Sequence, residues 1–314
     1  MRRVADFFLA KHLANRFREV VSGAKDGEPD WVKKIAEGDD EGLFGPESAV
    51  WLVHGNVATI IGGIRALLLQ AAHPAPLNGV AEHSRYETDP LGRLAGTTRW
   101  LTLTTFASRA VIDQEANRVN QMHSKVRGSF IGKDGEIKNY SAQDQRYLLW
   151  VHCAFTDSFL KTYQAIGPWV KSEESDFLPR DLADSYIKEW SESALGLGLK
   201  SAPKSLIELE DQLRDFREND LALNPKSEEV IRFILNPPFS LVGKAFYKVL
   251  ANAAIYTLDE RDRQLLQLKK SRRVNLIISR FALSLLSAVL GHKSPSEKIA
   301  RARIDRIRRS NLMD

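Results

Sequence analysis

The stretch Val111-Ile112-Asp113-Gln114-Glu115-Ala116-Asn117-Arg118-Val119-Asn120-Gln121-Met122-His123-Ser124-Lys125-Val126-Arg127 carries apolar side chains at 112, 116, 119, 122 and 126. Steps of three and four residues gather on one side of an α-helix but scatter over both faces of a strand, so the spacing predicts an amphipathic helix with one buried face. His123 belongs to that stripe, one position from Met122 and four from Val119. An imidazole in apolar surroundings either hydrogen-bonds a core partner or binds a metal through a neutral nitrogen. Position alone leaves both readings open.

The flanking sequence is also helical in pattern. Glu47 to Ala72 is dense in Ala, Val, Leu and Ile, holds Gly55, Gly62 and Gly63, and ends at His73-Pro74. Glycines within a helix let another backbone or a flat ligand come close, tight helix packing being the simpler reading. Turns around Pro74 to Gly79 and Asp89 to Gly92 precede a helix from Arg93 to Ala107. Beyond the opening stretch, Gly128, Gly132, Asp134 and Gly135 mark a loop or short hairpin over Gly128 to Asn139. Ser141-Ala142-Gln143-Asp144 then resembles a capping box that opens a helix from Ala142 to Ala165. Further helices are expected over 181–196, 205–223, 227–235, 241–250, 260–268, 274–290 and 296–309, with prolines at 179, 203, 225, 237 and 238 between them. No alternating run supports a central sheet. The expected fold is all-α, a single large helical domain over residues 47–291, with an N-terminal helical extension (1–46) and a basic C-terminal helix or tail (292–314).

Composition narrows the chemistry. In 314 residues, 43% hydrophobic and 27% charged, intrinsic disorder is excluded. Cys153 is the single cysteine, so intramolecular disulfides and cysteine-based zinc or iron–sulfur sites are ruled out and a reducing, cytoplasmic home is expected. Any metal must then use His or carboxylate. The net charge of +5 is an uneven sum: Lys269, Lys270, Arg272 and Arg273 precede the apolar run Val274 to Gly291, and Lys293, Lys298, Arg301, Arg303, Arg306, Arg308 and Arg309 follow it. A run of about 18 residues is at the lower edge of a membrane span. Ser279, Arg280, Ser284 and Ser287 interrupt it, which favours a buried or half-buried helix; peripheral contact with an anionic membrane through this basic segment is the alternative. At the other end, Asp6, Lys11, His12, Arg16 and Arg18 break any apolar core a secretory signal would need.

No HExxH helix, Walker A loop, Rossmann fingerprint or GxSxG elbow occurs. Basic and aromatic residues are not interleaved as specific nucleic-acid recognition requires. Attention falls on the seven histidines, His12, His54, His73, His83, His123, His152 and His292. His152 lies in Trp150-Val151-His152, where Thr156 and Asp157 are nearby polar partners for a core histidine. Arg93 and Thr97 are four residues apart and share a helical face, so a guanidinium and a hydroxyl can reach one ligand; a structural Arg–Glu pair is the simpler reading.

These residues belong to an ordered series of blocks: Gln70-Ala71-Ala72-His73-Pro74, Gly79-Val80-Ala81-Glu82-His83-Ser84, Asp89-Pro90-Leu91-Gly92-Arg93-Leu94-Ala95-Gly96-Thr97, His123-Ser124-Lys125-Val126-Arg127-Gly128, Tyr140-Ser141-Ala142 and Trp150-Val151-His152. The series resembles the helical domain shared by MpaB-type oxygenases and latex-clearing proteins, over roughly Glu47 to Leu290. The resemblance implies a globin-like helical core holding haem b, its iron on one axial histidine. Latex-clearing proteins split a double bond of polyisoprene with dioxygen, and MpaB-type enzymes cleave a prenyl side chain oxidatively. Carried over, the metal ligand is His123, and Arg93 and Thr97 line the pocket as candidate catalytic residues. Arg65 is a further candidate for a propionate, and His83 and His152 for pocket hydrogen bonds. The helices Val50 to Ala72 and Leu148 to Phe159 are the expected walls of the haem slot. Gly96 stands where the rubber-cleaving members carry a distal lysine, and it has no side chain with which to ligate or donate. The implied function is haem-dependent oxidation or cleavage of an apolar, isoprenoid or polyprenyl substrate by dioxygen. The alternatives are a haem-binding or sensor protein of the same fold without turnover, and a cofactor-free helical protein at a membrane surface.

Overall fold

Helix α6, Gln145–Ile166, is apolar on nearly every side, and Trp150, His152, Cys153, Ala154, Phe159, Leu160 and Tyr163 are all buried on it. A helix of this kind has to be surrounded by others. In the computed structural model, which describes residues 29–77, 90–169, 181–239 and 241–312 (of 90–95, 242 and 289–290 the backbone alone), it lies at the centre. Before it come α1 (Asp30–Lys33) with a 3-10 turn (Lys34–Ala36), α2 (Ala49–His54), α3 (Thr59–Gln70), α4 (Pro90–Phe106) and α5 (Arg109–His123). After α5 a hairpin of β1 (Arg127–Ile131) and β2 (Ile137–Ser141) leads into α6. Then follow α7 (Leu182–Leu195), α8 (Leu206–Asn219), α9 (Pro225–Leu235), α10 (Leu241–Thr257), α11 (Glu260–Leu265), α12 (Arg273–Leu290) and α13 (Pro295–Ser310). The fold is predominantly α-helical, as expected. The antiparallel hairpin, with Arg127 opposite Ser141 and Ile131 opposite Ile137, is the sheet among the described residues.

The closest helix partnership is α3 on α6. A Cβ at Gly62 would stand 2.6 Å from Phe159 Cδ1, so glycine is what lets the two helices meet there. The expected slot between these helices is therefore closed at Gly62 by protein packing. Helix α10 covers α3, and α12 covers α10, where Ser279 Oγ donates to the Val249 carbonyl at 3.0 Å. One continuous core runs from Ile35 and Phe44 through α6 to Ala300 and Ile304. It joins the two ends of the described chain: Arg303 Nη1 donates to the Ile35 carbonyl at 2.6 Å, and Arg308 pairs with Glu41 at 2.8 Å.

Three local expectations need correction. The apolar stretch 47–72 forms two helices, because the Asn56 side chain accepts the Ala58 N–H and Thr59 Oγ1 donates to the Val53 and Asn56 carbonyls, which turns the chain between α2 and α3. Ser141 remains in β2, and Asp144 is the N-cap residue of α6. Only half of the expected box forms, the Asp144 carboxylate accepting the Ser141 N–H at 3.2 Å. Met122 is 50% exposed, so the buried stripe of α5 runs through Ile112, Ala116 and Val119 without it. Among the described residues no helix is long and apolar enough to cross a membrane. Helix α12 buries Leu276, Ser279 and Leu283 on one side and exposes the other.

Candidate functional site

Helices α4 and α5 are joined by Ala107 and Ser108 alone, and one carboxylate ties them together. Glu115, 1% exposed at its side chain, meets Arg99 Nη2 at 2.7 Å and Arg118 Nη2 at 2.5 Å. Arg99 is seven residues short of the end of α4, and Glu115 six residues into α5. Arg93 and Thr97 on one helix and His123 on the other all lie beyond this clamp, away from the connection. Glu115, Val119 and His123 follow at steps of four and so share a face of α5. Thr97 and Gly96 are half-buried, and among the described residues a Cβ at Gly96 would meet nothing within 4 Å.

His123 ends α5. Its ring is partly buried, its Nδ1 is buried without a hydrogen-bond partner among the described residues, and burial lowers its pKa below the ordinary histidine value. A neutral imidazole with an uncommitted nitrogen is the form that binds a metal. His152 has a similar signature on α6: it is buried, its Nε2 has no partner among the described residues, and burial takes its pKa to about 4. The expected partners are engaged elsewhere, since Thr156 Oγ1 donates to the His152 backbone carbonyl and Asp157 pairs with Arg65.

Arg65 is fully buried on α3. It meets Asp157 Oδ2 at 2.6 Å and donates to Ser158 Oγ at 2.9 Å and to the Thr257 carbonyl at 3.3 Å. The cation is thus neutralised inside the bundle, tying α3 and α6 to the end of α10, and is not presented to a carboxylate from outside. Arg93 lies on α4 by its backbone, and His83 lies outside the described residues.

His73 is the residue that the sequence reading left off its site candidates, although its block was part of the resemblance. It is 1% exposed, framed by the rings of Tyr147, Trp150 and Phe216. Its Nδ1 accepts the Ala75 N–H at 3.2 Å, so the proton is on Nε2, which has no hydrogen-bond partner among the described residues and stands 4.0 Å from Asp220 Oδ1. Burial takes its pKa to about 4 against the pull of Asp220. A helix-ending His-Pro in an apolar segment was the available signal. His54, by contrast, is a satisfied core histidine. Thr105 Oγ1 donates to Leu101 and so accepts from His54 Nδ1–H, which leaves Nε2 to accept the Tyr186 hydroxyl, both at 2.9 Å.

A cavity of about 180 Å³ opens at the clamp, lined by Lys34, Arg99, Leu103, Val111, Gln114, Glu115 and Arg118. Arg99, Glu115 and Arg118 in its wall are already paired with one another, beside Leu103 and Val111. Among the described residues no three His, Cys, Asp or Glu side chains converge as a metal would require.

The chain belongs to the family described as ER-bound oxygenase mpaB/B'/Rubber oxygenase, catalytic domain, which matches residues 51–288. The match takes in His73, Arg93, Thr97, His123 and His152, and agrees with the resemblance read from the sequence blocks. No curated protein and no solved structure matches the chain.

Proposed function

We propose that this chain is a haem b-dependent oxygenase that uses dioxygen to oxidise or cleave an apolar substrate of the isoprenoid class, with His123 as the residue that would hold the iron. The observation that carries this reading is the buried Nδ1 of His123, which has no hydrogen-bond partner among the described residues, at the end of α5 that lies with Thr97 of α4 beyond the Arg99–Glu115 clamp. An orphaned buried nitrogen is costly unless something outside the chain completes it. Haem suits a chain whose described residues hold no multidentate metal cluster, because the porphyrin brings four nitrogens of its own and needs one from the protein.

Bound haem would supply the iron centre that activates dioxygen. The rest falls to the chain. His123 presents an imidazole kept neutral by its surroundings. Thr97 supplies a hydroxyl that can donate to an oxygen ligand, and Arg93, one turn earlier on α4, a cation for a propionate or for developing negative charge. Gly96 leaves room where a side chain would otherwise stand. His152 and His73 are candidates for orienting groups around the ligand, each with a nitrogen to spare.

The test is an absorption spectrum of protein produced with ample iron and haem precursor, which should show a Soret band. His123→Ala should lose it or shift it strongly; full haem occupancy with an unchanged spectrum would remove His123 from the ligand role. Dioxygen uptake with a change in an added polyprenyl substrate supports an oxygenase, whereas haem binding without turnover identifies a binding or sensor protein of the same fold.

A further inference from the structure

We propose that the outer face of α12 docks the protein on an anionic phospholipid bilayer. Val274, Ile277, Ile278, Phe281 and Leu285 follow at steps of three, one, three and four, so they fall within an arc of roughly 100° on the helix. All five are exposed, Phe281 at 74%. The opposite side of the same helix, Leu276, Ser279 and Leu283, is buried in the fold. Helix α12 is thus apolar on two faces, one of which the bundle uses and the other of which it presents to solvent. Large apolar side chains gathered in one exposed stripe mark an interaction surface.

An aromatic side chain extends this face. Trp169, 62% exposed, lies against α12 with Arg280 stacked 4.3 Å over its ring and Ser284 Oγ donating to its carbonyl at 3.3 Å. A Trp held at the edge of an apolar stripe suits the headgroup level of a bilayer, where one end of the indole is dry and the other wet.

Charge decides between the occupants. Lys269, Lys270, Arg272 and Arg273 are all exposed at the N-terminal end of α12, where the helix dipole is already positive and the first turn holds no acidic residue. This crowding of like charge disfavours the free state and is relieved by phosphate or carboxylate headgroups. A second copy of the chain laid parallel on the same stripe sets these cations against their own copies, and one laid antiparallel offers them no carboxylate from the helix, since Val274 to Leu290 contains no Asp or Glu. Helix α12 is not apolar enough to cross a membrane, so it lies in the plane of the interface.

The full-length chain is sedimented with large vesicles of phosphatidylcholine alone or with about 30% phosphatidylserine. Binding is expected on the anionic vesicles and about tenfold or more weaker on the neutral ones, falling as salt is raised. Ile277→Asn with Phe281→Asp replaces exposed residues, should leave the circular dichroism unchanged, and should abolish binding. Lys269→Glu with Lys270→Glu should weaken it about tenfold or more. No binding by the unaltered chain, or binding that survives both pairs of substitutions, overturns the proposal. So does a concentration-dependent dimer that disappears with Phe281→Asp while vesicles are ignored. None of these readouts depends on bound haem.

Discussion

Arg99 Nη2 stands 2.7 Å from Glu115 Oε2, one contact holding α4 to α5, and Arg118 completes it from one turn further along α5. The acid is inaccessible, while the arginine side chains are 28% and 40% exposed. Glu115→Gln removes the shared charge but strands cations that still reach water. A loss of about 1–3 kcal/mol in chemical denaturation is expected, below that for a fully buried pair. Because Arg93, Thr97 and His123 lie beyond this clamp, the same variant should also broaden or shift any Soret band. Unchanged stability and spectrum would show that the contact positions nothing.

The Arg65–Asp157 pair is the fully buried case. Asp157→Ala leaves a guanidinium in the core with only Ser158 and the Thr257 carbonyl, and should cost about 3–5 kcal/mol. Arg65→Met combined with Asp157→Leu removes both charges and should recover most of that loss in the denaturant midpoint.

Two adjacent glycines should respond with opposite sign. Gly62→Ala drives a methyl into the Phe159 ring and should destabilise by about 1–3 kcal/mol despite alanine's better helix propensity. At Gly63 a Cβ meets nothing within 4 Å, so Gly63→Ala should stabilise by up to about 1 kcal/mol. A common sign for the two melting-temperature shifts would refute the packing account of the α3–α6 contact.

Acid sensitivity should come from the histidines. Burial sets His54 to about 3 and His73 and His152 to about 4, against 6.5 when unfolded. A group that is neutral in the fold and protonated in the unfolded chain makes the unfolded state bind more protons, so stability is lost as pH falls from about 6.5 toward 4. Each histidine should contribute roughly 1 kcal/mol per pH unit within that window. Denaturation midpoints measured from pH 7.5 to 4.5 should fall accordingly, and His54→Phe should flatten the slope. A profile flat over this range would contradict the neutral assignment.

Cys153, fully buried on α6 with its thiol pKa pushed well up by burial, should not react with a thiol reagent in the native protein. Modification should follow the rate of opening and accelerate with denaturant. Stoichiometric labelling of the folded protein within minutes would place the thiol elsewhere.

Helices were legible from the sequence because their apolar residues repeat within one segment. Helix α12 was read to within one residue, and the hairpin was marked by its glycines. Missed elements turn on single side chains. Asn56 and Thr59 divide 47–72 into two helices, and the capping box that does form pairs Asn224 with Ser227 at the start of α9. The site was legible only as a set of candidates. That Arg65 meets Asp157, 92 positions away, or that Thr156 turns its hydroxyl to a backbone carbonyl, depends on which helices become neighbours, and no local spacing encodes that. His123 stands out as a candidate because it sits on a periodic stripe within an ordered block; His73 does not, because its aromatic frame is assembled from α6 and α8.

The bond from Arg303 to the Ile35 carbonyl spans 268 residues. During synthesis the early segment around Ile35 must wait, for tens of seconds at ordinary elongation rates of about 5–20 residues per second, before α13 exists to cover it. Closure of the bundle is thus a late event that waits for α13 to emerge from the ribosome, and a chain stopped anywhere before α13 exposes the start of its own core to whatever chaperone or protease meets it first.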